Sequence, residues 1–494
     1  MNISAVTYRD KLNACFVGKN IGGTMGAPYE GVRSTLDVQG FSTKAGEVLP
    51  NDDLDLQLVW LYAVDRLGIN RIDTVTLGEM WQSYIIPYWN EYGVAKNNLS
   101  AGLPSPLSGA VRNSWKHSNG AWIRTEVWAT LLPGEPELAA HYAVEDALVD
   151  HADGEGTVAA AFVAAMQSAA FVSDSLSDVI DVGLSKIPEN SRTAKSIRLV
   201  RELYAAGKSA MEVREAVFRE NADIGDGWFE APSNVAYAVL GLLFGEGDFK
   251  KSMITAINCG DDTDCTAATV GATLGILGGM AAIPEDWRAH IGDDIVTVAI
   301  DRTCGMKLWL PATCTALAER IASLAPTCLS VLGADTAITD ATACAARAKE
   351  DAAPADLVGM RAPTAVRDRL SKLAPYSFRL ELPLATAEVV YHTSPTVKAN
   401  EEITVTLRLC NRIRVFGNRP YRFVLRWLLP EGFAVLDAPA VLLLPDGTAH
   451  APEEAEMTVR LRAGETILPN NRVTLELAAE GRSLPMYIPI PLLG

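Results

Sequence analysis

The spacing of apolar residues changes once along this chain, and that change dictates two different folds. Up to about Cys344 the apolar residues recur at helical spacing: Leu54, Leu58, Leu61 and Val64 fall on one helix face, and Val158, Phe162, Ala165 and Met166 on another. Apolar runs such as Val235 to Phe244 predict helices buried on all sides, so this part reads as an all-helical bundle. Beyond the Ala-, Asp- and Pro-rich stretch Ala345 to Pro363 the period becomes two. Ile403, Val405, Leu407 and Leu409 alternate with polar residues, as do Met457, Val459 and Leu461, and Val473, Leu475 and Leu477. Pro430-Glu431-Gly432, Pro445-Asp446-Gly447 and Pro469-Asn470-Asn471 supply turns between them. The pattern predicts a helical domain over 1–345, a linker over 346–364, and a small antiparallel, immunoglobulin-like β-sandwich over 365–494 with a structural or assembly role.

A chain of 494 residues exceeds one ordinary core, in keeping with this division. Its 43 basic and 60 acidic side chains leave a formal charge of −17, which repels phosphate backbones and argues against nucleic-acid binding. Met1 to Lys19 does not read as a signal peptide, and Thr269 to Ile283, rich in Gly and Ala, reads as a buried helix rather than a membrane span. The eight cysteines (Cys15, Cys259, Cys265, Cys304, Cys314, Cys328, Cys344 and Cys410) form no CxxC pair, so reduced thiols in a cytoplasmic protein are expected.

Two acidic clusters each precede an apolar helix: Asn51-Asp52-Asp53-Leu54-Asp55, and Gly260-Asp261-Asp262-Thr263-Asp264 followed by Cys265 and Thr266. Either alone reads as a helix N-cap, where Asp and Asn accept hydrogen bonds from unpaired amides. A cap needs only one acceptor, however, and several adjacent carboxylates repel one another. Hard divalent cations would offset that repulsion, and oxygen-only donors favour magnesium. The spacing of Asp262 and Asp264 lets both carboxylates turn toward one ion.

The arrangement resembles the ADP-ribosylglycohydrolase family. Gly18-Lys-Asn-Ile-Gly22-Gly-Thr-Met-Gly26-Ala-Pro-Tyr-Glu30 looks like that family's opening glycine-rich helix, whose glutamate reaches the active site. Asn51-Asp52-Asp53 stands where the family places Thr-Asp-Asp, and Asp262-Thr263-Asp264 where it places its last Asp-x-Asp pair. Asn119-Gly120-Ala121-Trp122-Ile123-Arg124 resembles its Asn-Gly-Gly-Ala-Met-Arg loop, His151 its later histidine, and Ala231-Pro232-Ser233 the segment before its last helices. The likeness spans roughly residues 10 to 285 and leaves out the β region. Three departures stand out. Gly22-Gly23 replaces the usual Gly-Asp, Asn51 replaces a threonine, and Cys265 replaces a hydroxyl residue, leaving Thr266 or water to complete the second ion's shell.

The resemblance implies a magnesium-dependent hydrolase that cleaves the glycosidic bond at C1 of an ADP-ribose-like group. Asn51, Asp52, Asp53, Asp262 and Asp264 would hold two magnesium ions, which fix the ribose diol and make hydroxide available near neutral pH. Glu30, Asp53 and Asp262 are the expected catalytic residues, with Glu30 protonating the leaving group or gating the site and the carboxylates stabilising an oxocarbenium-like transition state. Asn119, Gly120 and Ala121 would cradle a phosphate, and His151 would touch substrate. Trp122 and Trp228 read as core or as stacking platforms, and Arg124 as a phosphate ligand or a partner of Glu126. The alternatives are a hydrolase of another furanosyl or N-ribosyl glycoside, and a catalytically silent relative that binds a ligand.

Overall fold

A computed structural model describes residues 1–225, 227–300, 310–339, 357–362, 365–411, 421–445 and 454–494. The chain divides into two compact units, one of residues 1–93 with 113–373 and the other of 94–112 with 374–494. Most of the linker stretch Ala345 to Pro363, the turn residues Asp446 and Gly447, and Cys304 and Cys344 lie outside the described residues. No helix among the described residues is long and apolar enough to cross a membrane.

The first unit is helical. Its centre is a pair of helices, Ala5–Gly26 and Thr263–Gly278, both buried along most of their length. Glycines permit their close approach. A methyl group added at Gly18, Gly22 or Gly26 would overlap the backbone carbonyl of Gly271, Ala267 or Thr263, and one added at Gly271 or Gly275 would strike Gly18 or Ala14. Four-residue spacing puts the three on one stripe of the first helix. Around this pair lie Asp52–Leu67, with Leu54, Leu58, Leu61 and Val64 buried, and Glu155–Ala170, with Val158, Phe162, Ala165 and Met166 buried. The run Val235 to Phe244 lies within Ala231–Gly245. A feature too short for sequence periodicity to show is a parallel pairing of β1 (Asn2–Ser4) with β2 (Ala337–Thr339).

The second unit is a sandwich of two antiparallel sheets around one core. The five-stranded sheet has the order β3 (Ser377–Glu381), β4 (Ala385–Tyr391), β5 (Glu402–Asn411), β9 (Glu454–Arg462) and β7 (Ala434–Val435). The other runs β11 (Met486–Leu493), β10 (Asn470–Ala479), β6 (Tyr421–Leu428) and β8 (Val441–Leu444). The alternating residues of β5, β9 and β10 point into the shared core. Pro489 and Pro491 lack the amides a central strand needs, and β11 is accordingly an edge. The Pro430 turn closes by a bond from Phe433 N to Pro430 O, with Gly432 at φ 78°. Residues 94–112 also join this unit: Leu103, Leu107 and Val111 are fully buried in its core, and the Asn470 amide donates to Ala101 O. Apolar spacing alone assigns that segment to the helical part, because nothing local records which core a helical turn enters.

Candidate active site

The glycine stripe sets the geometry of the site. Because the helices Ala5–Gly26 and Thr263–Gly278 pack so closely, the chain leaving the first one carries Glu30 to the start of the second, where Asp262 and Asp264 stand. Asp262 occupies the N-cap position of its helix but makes no side-chain cap bond. Its Oδ2 instead accepts a 2.6 Å bond from Asn119 Nδ2. The simple capping explanation therefore fails for this cluster. It holds for Asn51, whose Oδ1 accepts from Asp53 N at 2.8 Å and caps Asp52–Leu67.

Glu30, Asp52, Asp262, Asp264 and Cys265 line a cleft of about 390 Å³, bordered by Tyr88, Trp89 and Phe229. Ligand atoms of Glu30, Asp262 and Asp264 lie within 4.8 Å of one another, as do those of Asp53, Asp264 and Cys265. Oδ1 of Asp262 and Oδ1 of Asp264 are buried and accept no hydrogen bond, a costly arrangement for carboxylates unless something else meets them. Burial, followed by the charge of Glu30, pushes Asp262 up to about 8. Burial also pushes Asp53 up to about 7 despite the Lys19 ammonium, and holds Asp264 well above the ordinary carboxylate range with help from Asp262. Glu30 and Asp52 are raised as well, Glu30 by burial and then by Asp52, Asp52 by burial itself. A cation bound by Asp262 and Asp264 would return those two carboxyls to the ionised form.

The two triplets fit a hard cation unequally. Glu30, Asp262 and Asp264 offer only oxygen, with two lone-pair-bearing atoms unclaimed. The other triplet includes a thiol, a poor magnesium ligand, and both Asp53 oxygens are engaged, Oδ1 by Cys265 Sγ at 3.4 Å and Oδ2 by Lys19 Nζ at 3.4 Å. Acidic clusters able to hold metal are thus present, and the first is the better suited.

Residues 4–328 match the family model described as ADP-ribosylglycohydrolase. The chain belongs to the ADP-ribosylglycohydrolase family. Among solved structures it is similar to one described as an ADP-ribosylglycohydrolase-related protein complex, at 19% identity over 65% of this chain and 99% of that one, with a TM-score of 0.43. The comparison with curated proteins gives no match.

Against the ADP-ribosylglycohydrolase pattern, the expected residues divide into three groups. Glu30, Asp52, Asn119, Gly120, Asp262 and Asp264 meet at the cleft. Asn51 and Asp53 lie beneath it, both buried. Ala121 and His151 are buried and do not border it; His151 Nε2 lies 3.3 Å from Ser118 Oγ, and Nδ1 lies 2.8 Å from Asp150 Oδ1. Arg124 takes neither expected role: fully buried, it pairs with Asp146 and Asp150 and donates to Gly120 O, shaping the loop from below. Trp122 is core, its indole N–H donating to Asn119 Oδ1, while Trp228 is 38% exposed beneath the Arg33 guanidinium. Thr266 donates to Thr263 O, so its hydroxyl is committed to its own helix. Sequence reasoning missed Lys19, fully buried with its ammonium 3.1 Å from Glu126 Oε2 and 2.6 Å from Ile123 O. The available signal was a lysine in a helix with no polar face.

Proposed function

We propose that this protein is a magnesium-dependent hydrolase that cleaves the glycosidic bond at C1 of an ADP-ribose-like ribosyl group. The family carries glycosidic hydrolysis in general. The observation supporting the finer reading is the convergence of Glu30 and Asp52 with Asp262 and Asp264, from segments far apart in sequence, on one cleft in which Asp262 Oδ1 and Asp264 Oδ1 lack partners. Asp262 and Asp264, beside Glu30, would hold magnesium, which when bound fixes the sugar hydroxyls and eases ionisation of water near neutral pH. Glu30, raised by burial and by Asp52, keeps its proton to higher pH than an ordinary glutamate and gives it to the leaving-group atom. Asn119 holds the Asp262 carboxyl from one side, and Asp52 and Asp262 stabilise positive charge developing at the ring. Tyr88, Trp89 and Phe229 give the cleft aromatic faces against which a base or ring can stack.

The six described cysteines are free thiols, which supports a cytoplasmic setting, and we assign the β unit an accessory role. Cys265 in place of a hydroxyl residue keeps a second substrate class open, another furanosyl or N-ribosyl glycoside. The test is release of product from ADP-ribosyl-arginine, ADP-ribosyl-serine and simple nucleosides, each with magnesium and with chelator. Cation-dependent release from an ADP-ribosyl substrate is expected. Release only from nucleosides would select the second class. Binding of ADP-ribose with no turnover of any substrate would make the protein a ligand-binding relative instead.

A further inference from the structure

We infer that this chain holds a single divalent cation, and that the buried Lys19 ammonium occupies the electrostatic role of a second one. The inference rests on the cation-dependent reading above and departs from the ion pair that the family resemblance implies. Three observations carry it. First, Lys19 is locked in place. Its three donors are directed at Asp53 Oδ2 (3.4 Å), Glu126 Oε2 (3.1 Å) and Ile123 O (2.6 Å), in a fully buried setting. Glu126 is itself held by Gln57 and Gln167, at 2.9 and 3.0 Å, so it is fixed beside the ammonium. Second, the donor set beside Lys19 is spoiled for a hard ion. Both Asp53 oxygens are taken, that triplet adds only the Cys265 thiol to the Asp264 it shares with the first, and a cation there would face a fixed positive charge across one carboxylate. Third, the unclaimed capacity lies on the other side: Asp262 Oδ1 and Asp264 Oδ1 are buried and accept no hydrogen bond, and these two residues and Glu30 each bring a ligand atom within 4.8 Å of the others.

The test counts ions on the full chain. Manganese, as a magnesium surrogate, is titrated calorimetrically and its electron paramagnetic resonance spectrum recorded at saturation. One tight equivalent with the hyperfine pattern of an isolated ion is expected. Two tight equivalents, or the spectrum of an exchange-coupled pair, would overturn the inference while leaving cation dependence intact. No binding at all would overturn both it and the function proposed above. Asp53→Asn and Asp264→Asn then locate the ion. In Asp53→Asn the stoichiometry should stay at one with affinity falling by no more than about 10–100-fold, as for a residue outside the ligand shell. In Asp264→Asn affinity should fall by more than about 100-fold, beyond what such outer residues cost. Loss of binding in Asp53→Asn with retention in Asp264→Asn would refute the placement, and should either variant fail to fold, the wild-type count and spectrum decide alone.

Discussion

The buried carboxyls predict an unusual response to pH once cations are removed. In the folded, cation-free protein Asp262 is pushed up to about 8 and Asp53 to about 7, chiefly by burial, whereas an unfolded aspartate titrates near 4. Between those limits the folded state binds more protons than the unfolded one. Stability is therefore fully present below about pH 4 and is lost as pH rises toward about 8. Each excess proton contributes a slope of about 1.4 kcal/mol per pH unit. Asp262 alone then removes about 3 kcal/mol between about pH 5 and 7, which lowers the melting temperature of a body this large by roughly 5 °C or more. Asp264 acts in the same direction. Scanning calorimetry in chelator across that interval should show the fall, and excess magnesium, which binds the ionised carboxylates, should flatten it. Asp262→Asn removes one titrating group and should shrink the slope in chelator. A melting temperature in chelator that stays level or climbs from about pH 5 to 7 would refute the reasoning.

Other consequences follow from single contacts. Glu30→Gln should lower kcat by about 10²–10⁴-fold with little change in melting temperature, because the residue keeps much of its surface in solvent although its carboxyl is desolvated in the cleft; unchanged turnover would remove it from the mechanism. Gly22→Ala drives a methyl group into the Ala267 carbonyl and should cost about 3 kcal/mol, while Gly40→Ala, with open space around it, should be nearly neutral by denaturant unfolding. Leu107→Ala should destabilise the β unit by about 2–5 kcal/mol, because that side chain is fully buried among the sandwich strands; the transition that moves in a thermal scan identifies the unit it belongs to.

The parts of this molecule legible in its sequence are those whose signal is local. Helical spacing at Leu54 to Val64 and alternation at Ile403 to Leu409 each report a face that is buried, and the structure buries those faces. The acidic clusters were visible because neighbouring carboxylates are improbable without a purpose. What escaped was the long-range bookkeeping of charge and contact. Lys19 has partners at Asp53 and Glu126, far along the chain, and nothing within its own helix announces them. Arg124 sits next to Glu126 yet pairs with Asp146 and Asp150, because a bidentate guanidinium selects by three-dimensional approach rather than by proximity in sequence. Leu103, Leu107 and Val111 carry ordinary apolar spacing, so only tertiary structure reveals that they fill the core of the sandwich.

The departures that the family resemblance implies form a set rather than a scatter. A side chain at position 23 would overlap Asn51 Nδ2, so the missing carboxylate and the exchanged N-cap residue occupy the same space. The glycine makes room for the amide, and the amide excludes the acid. An ammonium at Lys19 and a thiol at Cys265 act in the same sense: the missing acid and the ammonium leave less negative charge beside Asp53 than a second cation would need, and the thiol is a poor donor for one. The steric half of this coupling is open to a double-mutant cycle. Gly23→Asp alone should destabilise by about 2 kcal/mol or more, from overlap and an added buried charge. Asn51→Thr alone should cost less than about 1 kcal/mol, because threonine also caps helices. Combined, they should recover stability relative to the sum, with a coupling of about 0.5–3 kcal/mol measured by denaturant unfolding. Strict additivity would show that positions 23 and 51 changed independently, and the reading of the site as one adapted as a whole would fail with it.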